Sequence, residues 1–178
     1  MKLEHAKAIA EELVKQLAPH CERIQIAGSI RREKPEVKDI EIVAIPKPYD
    51  VGLFESGIAT VVNRWEKVKG ELPCKYTQRV IYPLHINGDI HVPDVSIKLD
   101  LFFARPENWG LILAIRTGSA EYSHRVLANG WVSKGYHSVD GMLFHEKSKW
   151  ERKITEEWQL FQLIGVPMPD PKDREVKP

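Results

Sequence analysis

AGSIRREKPEVKDIEIVA, running from Ala27 to Ala44, joins a Gly-Ser turn and an arginine pair to two carboxylates set one residue apart in an apolar stretch. Ile24 and Ile26 precede the turn and Asp39 opens the run DIEIVAI, so both flanks read as strands, at about 23–27 and 39–45. The segment between them reads as a turn or short helix. Strand side chains repeat their direction every second residue, which puts Asp39 and Glu41 on one face and Ile40 and Ile42 on the other. Two carboxylates so placed repel each other and are stable mainly with a cation between them.

Acid-x-acid pairs on strands are common and usually face water. Here the upstream Gly28-Ser29 changes the balance. Glycine lets the backbone approach a phosphate closely, and a hydroxyl with backbone N–H groups can hold its oxygens. Arg31 and Arg32 follow, and the guanidinium fork suits phosphate geometry better than an ammonium. Together these parts are the layout of a metal-dependent nucleotidyltransferase.

The 178 residues suffice for one domain or two small lobes with a real core. An apolar content of 43% beside 29% charged residues is that of a folded, water-soluble chain. No apolar run reaches membrane-spanning length, and the opening MKLEHAKAIAEELVKQL is charged and amphipathic rather than a signal peptide. The expectation is an intracellular, cytoplasmic protein with no membrane partner. Cys21 and Cys74 have no C-x-x-C spacing and read as free thiols. The seven histidines show no metal-binding spacing, and the five tryptophans are scattered, so packing is the expectation for each. Lys plus Arg total 26 against 25 for Asp plus Glu, which argues against broad electrostatic clamping of nucleic acid. Local clusters remain, at Arg31, Arg32 and Lys34 and at Lys147, Lys149, Arg152 and Lys153, with solvated faces the default for both.

The spacing of Ala6, Ile9, Ala10, Leu13, Val14 and Leu17 predicts an opening helix stopped by Pro19. A helix is predicted over about 54–68, closed by Gly70. Three β-like runs follow: Lys75 to Ile81, a hairpin turning at Asn87-Gly88, and Val95 to Phe103. In the last of these, Ser96, Lys98 and Asp100 share one face. Taken alone, Asp100 reads as solvent-facing or paired with Lys98. Set beside the strand of Asp39 and Glu41, it would bring a third carboxylate to the same place. Beyond Phe103 the sequence predicts a helix at Leu111–Ile115, a break at Thr117-Gly118-Ser119, a helix from Ala120 to Ala128 ending at Asn129-Gly130, and a hairpin at Tyr136–Phe144 turning at Asp140-Gly141. A final helix capped by Thr155 follows, ended by Gly165 and Pro167, with the tail from Pro167 expected to lie extended on the surface. A boundary falls near 104–108, giving lobes of 1–105 and 106–178.

In this order, Gly28-Ser29-Ile30-Arg31-Arg32, Asp39-Ile40-Glu41, Lys98-Leu99-Asp100 and Thr117-Gly118-Ser119, the chain resembles the X family of DNA polymerases, the polymerase beta-like nucleotidyltransferases. The closing Asp170-Pro171-Lys172-Asp173-Arg174 also looks like the end of that family's polymerase domain. There are departures: Glu41 stands where the family has a second Asp, Lys98 where it has Arg, and Ile115-Arg116 where two aromatics usually pack against the incoming sugar. The amino-terminal lyase domain and helix-hairpin-helix segment of full-length relatives have no counterpart ahead of Met1, so the reduced, virally encoded members are the nearest likeness.

The resemblance implies an α+β fold: a nucleotidyltransferase palm, with a mixed or antiparallel sheet carrying helices on one face, plus a small C-terminal α/β lobe that selects the nucleotide. It implies that Asp39, Glu41 and Asp100 are catalytic and hold two ions, Mg²⁺ or Mn²⁺, about 4 Å apart. Gly28, Ser29 and Arg32 would receive the triphosphate, with Thr117, Gly118 and Ser119 in the nucleotide lobe. Arg31, Lys98, Arg116, Tyr122 and His124 are weaker candidates. The implied activity is template-directed addition of dNTPs to a primer 3′-hydroxyl in short gaps, as in DNA repair, by a monomer acting on gapped or primer–template DNA in a bacterium or a virus-infected host. Nucleotidyl transfer to an untemplated or non-DNA acceptor is the first alternative, and an inactive binding module the second.

Overall fold

Helix α1 (Leu3–Leu17) forms where the helical spacing places it, with Ala6, Ile9, Ala10, Leu13 and Leu17 buried along one stripe. Pro19 then turns the chain through a 3₁₀ segment, Ala18–His20. In the computed structural model, which describes residues 1–48, 57–72, 74–82 and 96–176, the chain divides into two units, Met1–Phe103 and Ala104–Pro178. The hairpin expected at Asn87-Gly88 lies outside the described residues.

The first unit holds a five-stranded mixed sheet of β1 (Cys21–Ile26), β2 (Asp39–Pro46), β3 (Glu66–Lys69), β4 (Tyr76–Ile81) and β5 (Ile97–Phe103). Their spatial order is β1-β2-β5-β4-β3, with β2 and β5 parallel and the other neighbours antiparallel. The four-residue helix α2 (Gly28–Arg31) links β1 to β2. Helices α1 and α3 (Ile58–Val62) share one core with Ile40, Ile42, Ala44, Leu99 and Leu101. Each buried Ile or Leu side chain contributes about 1.5–3 kcal/mol by leaving water, and this core fixes which face of β2 and β5 is left for chemistry. Cys21 and Cys74 are free, and burial pushes the Cys21 thiol up to about 11.

Residues 66–68, expected to end a helix, belong to β3 instead. All four residues of β3 are exposed, so no apolar alternation marked the strand. Their partner supplies the structure: Glu66 pairs with Val80, and Gly70 at φ +82 turns the chain, with Thr77 Oγ1 donating to the carbonyls of Lys69 (3.0 Å) and Gly70 (2.9 Å).

The second unit contains α4 (Trp109–Thr117), α5 (Ala120–Tyr122), a π segment (Ser123–Ala128), α6 (Asn129–Ser133), the antiparallel sheet of β6 (Tyr136–Val139), β7 (Met142–His145) and β8 (Glu151–Arg152), and α7 (Glu157–Ile164). The turn at Asp140-Gly141 has both residues at positive φ, 53° and 74°, as a two-residue hairpin requires. Asn129-Gly130 does not end its helix. A Cβ on Gly130 would come within 2.9 Å of Ile164 Cβ, so this glycine admits α7, and the helical run ends before Gly135 at φ +77. Glu156, rather than Thr155, caps α7, with the Gln159 side chain accepting from the Glu156 backbone N–H at 3.1 Å. The tail folds back: Arg174 is 1% exposed, stacks 5.0 Å from the Phe161 ring, donates to Pro169 O at 3.2 Å and pairs with buried Glu157. An arginine can cover an aromatic ring while its fork meets a carboxylate, which is why a charged, proline-rich tail need not stay in water. Among the described residues no helix is long and apolar enough to cross a membrane.

Candidate active site

Along β2, Ile40 and Ile42 enter the core under α1, leaving Asp39 and Glu41 half-buried on the opposite face. The parallel pairing then sets Asp39 opposite Lys98 and Glu41 opposite Asp100. Residues opposite one another on neighbouring strands share a face about 5 Å apart, so all three carboxylates stand on one side of β2 and β5. The antiparallel partner β4 places Gln78 opposite Asp100 in the next row.

Asp100 is held from β4. Tyr76 donates its hydroxyl to Asp100 Oδ1 at 2.6 Å, and Gln78 Nε2 donates to the same oxygen at 2.7 Å. Stacking on Phe102, with centroids 4.9 Å apart, fixes the Tyr76 ring. Lys98, the partner considered for Asp100, is exposed and in register with Asp39 instead. Burial raises the Asp39 pKa and the Asp100 charge raises it further, against smaller lowering from a backbone hydrogen bond, Lys38 and Arg32. Asp39 and Asp100 therefore feel each other across the strand pair, with Arg32 near enough to oppose their charge.

Glu41 turns toward the Gly-Ser turn. Gly28 has φ +59, and a Cβ built there would fall 1.9 Å from Glu41 Oε2, so glycine alone sits against this carboxylate in its present rotamer. Ala27 N donates to Glu41 O at 2.8 Å, tying the turn to β2. The adjacent Ser29 Oγ is shielded from solvent with no hydrogen-bond partner among the described residues. Among the described residues no three His, Cys, Asp or Glu side chains are drawn into a ready-made metal cluster. The donor set nonetheless fits a divalent ion: hard oxygen ligands suit Mg²⁺ or Mn²⁺, the Asp39–Asp100 repulsion is one a cation relieves, and the orphaned Ser29 hydroxyl follows the glycine that abuts Glu41.

Arg31 is half-buried at the end of α2, and the other candidates lie in the second unit. Thr117 is fully buried at the end of α4, with Arg116 half-buried before it. A Cβ on Gly118 would meet Tyr122 Cδ1 at 2.8 Å, so this glycine serves packing. Ser119 caps α5, its Oγ accepting from Tyr122 N at 3.1 Å, while its own N–H donates to Arg174 O at 3.1 Å. Tyr122 is 6% exposed within the core, whereas His124 is exposed. Ser119 and Tyr122 thus have structural employment that spacing did not reveal. Tyr76 and Gln78 escaped the sequence reading, although the alternation along β4, with Thr77, Arg79 and Ile81 buried, marks their shared half-buried face. No protein-family model matches the chain and no curated protein matches it.

Proposed function

We propose that the first unit is a nucleotidyltransferase palm and that the chain is a template-directed DNA polymerase of the X type, adding dNTPs to a primer 3′-hydroxyl in short gaps. The observation that carries this reading is the parallel β2–β5 register, which puts Glu41 beside Asp100 on the face that also bears Asp39. A divalent cation, Mg²⁺ or Mn²⁺, would supply Lewis-acid charge at the reacting phosphate and at the attacking hydroxyl, held by Asp39, Glu41 and Asp100. The protein's own contribution is positioning. Tyr76 and Gln78 orient Asp100 through Oδ1, leaving it the candidate to help take the proton from the acceptor hydroxyl. Gly28 lets the turn sit against Glu41, and the Ser29 hydroxyl has a hydrogen bond to offer a phosphate oxygen. Arg32 offsets the negative charge that gathers there.

A second reading, transfer to an untemplated or non-DNA acceptor, draws support from Ser119 and Tyr122, whose hydrogen bonding and burial belong to the second unit's own fold. Incubation with Mg²⁺, a one-nucleotide-gapped DNA and each dNTP singly separates the two. Insertion dictated by the template supports the polymerase, template-blind addition the second reading, and no turnover with any acceptor refutes both. Asp100→Ala should reduce turnover to background while circular dichroism stays unchanged, and retained activity would overturn the metal assignment.

A further inference from the structure

Trp150 contradicts the expectation that every tryptophan packs: its side chain is 77% exposed, the most open of the large apolar residues described. Trp158, at 52%, is a second exception; Trp150 borders a cavity of about 380 Å³, lined also by Tyr136, His145, Ser148, Glu151 and Arg152. The indole hangs on a well-anchored backbone. His145 N donates to Trp150 O at 3.0 Å and Lys149 N to His145 O at 2.9 Å, closing the turn between β7 and β8. Lys149 adopts φ +59 within that turn, a left-handed conformation costly to a long L side chain. Below it, Ser148 N and Oγ both meet His145 Nδ1, at 3.3 and 3.1 Å, and the His145 ring stands edge-on to Tyr136 with centroids 5.1 Å apart. An aromatic side chain is thus presented to water from an anchored backbone. Over Glu146–Lys153 the chain on either side of it carries four exposed cations, Lys147, Lys149, Arg152 and Lys153, against two acids, Glu146 and Glu151.

We infer that this surface of the second unit seats a single strand of nucleic acid, one base stacking on the Trp150 indole beside the Tyr136–His145 pair, with the cations on the flanking phosphates. Every base has a π face, so one exposed indole accepts any sequence, and cations a few residues either side match a strand whose charge repeats with its bases. An acidic peptide would satisfy the cations but would leave the indole and the cavity without a planar occupant. The choice of a nucleic acid rests on the nucleotidyl-transfer reading. The local charge also explains how a chain with net charge of only +1 can hold a polyanion at one place.

Fluorescence anisotropy of a labelled ten-nucleotide oligothymidylate, titrated with the full chain in the absence of dNTP, tests the assignment. Trp150→Ala should weaken binding roughly 5- to 150-fold, the equivalent of the ~1–3 kcal/mol found per stacked base. Trp150→Phe should restore most of it. Lys147→Ala with Lys149→Ala should lower the slope of log K against log salt by about 1.4, at ~0.7 per phosphate contact on a single strand. Indifference to Trp150→Ala, or displacement of the oligonucleotide by polyglutamate as effectively as by unlabelled strand, would overturn the inference. Because the assay needs no turnover, the two readings fail separately. Binding through Trp150 without nucleotide transfer refutes only the enzyme, and transfer with binding indifferent to Trp150 refutes only this site.

Discussion

Replacing Gly28 with alanine should disturb the first unit in two separable ways. At φ +59 the backbone is left-handed, which costs an L-residue about 1–2 kcal/mol. The new Cβ would also fall 1.9 Å from Glu41 Oε2, 2.7 Å from its Cδ and 3.0 Å from its Cβ. The nearest of these atoms lie at the far end of a flexible side chain, so Glu41 gives way by rotating, at about 0.5–1.5 kcal/mol if it is driven off its rotamer. The two parts sum to roughly 1.5–3.5 kcal/mol. Only the second depends on the carboxylate, so Gly28→Ala should cost about 0.5–1.5 kcal/mol less in a Glu41→Ala background. Urea unfolding of the wild type, both single variants and the double variant closes this cycle. Gly28→Ala within about 0.5 kcal/mol of wild type would refute the left-handed turn. A full cost with no coupling to Glu41→Ala would refute the contact.

Asp39→Asn should stabilise the protein at neutral pH. The folded-state pKa of Asp39 is raised by burial and by Asp100, so its contribution to stability is fully present below the unfolded carboxylate value and is lost as pH rises through the folded one. The gain should therefore vanish as acid protonates the wild-type Asp39, in unfolding curves recorded from neutral to acid pH, while turnover is lost throughout. Arg174→Ala should destabilise the second unit by about 3–5 kcal/mol, because it strands the buried Glu157 carboxylate. Adding Glu157→Leu should recover part of that loss in the same denaturation assay, and no recovery would refute the buried pair.

The alternation in DIEIVAI announced that Asp39 and Glu41 share a face, and the burial of Ile40 and Ile42 beneath α1 follows from that pattern. The hairpin at Asp140-Gly141 and the stop at Gly165 were equally legible, since positive φ singles out the residues that tolerate it. Strand β3 was not, because an exposed edge of Glu66, Lys67, Val68 and Lys69 draws its order from pairing with β4 and carries no periodicity of its own. The short strand β8 and the burial of Arg174 escaped for the same reason: their partners come from other elements.

Within the candidate site, local sequence determined the types and facing of the chemical groups: a glycine able to turn left-handed, a hydroxyl after it, and two carboxylates two residues apart. Strand pairing decided the rest. Periodicity says which way a side chain points but not which strand lies alongside. The parallel register of β2 with β5 makes Asp100 the neighbour of Glu41, and the antiparallel register of β4 brings Tyr76 and Gln78 to Asp100. Glu41 turned toward Gly28 and Trp150 left in water are likewise decided in the folded chain, where contacts in space set the result, whereas the Ser119 cap on Tyr122 N, three residues on, is local.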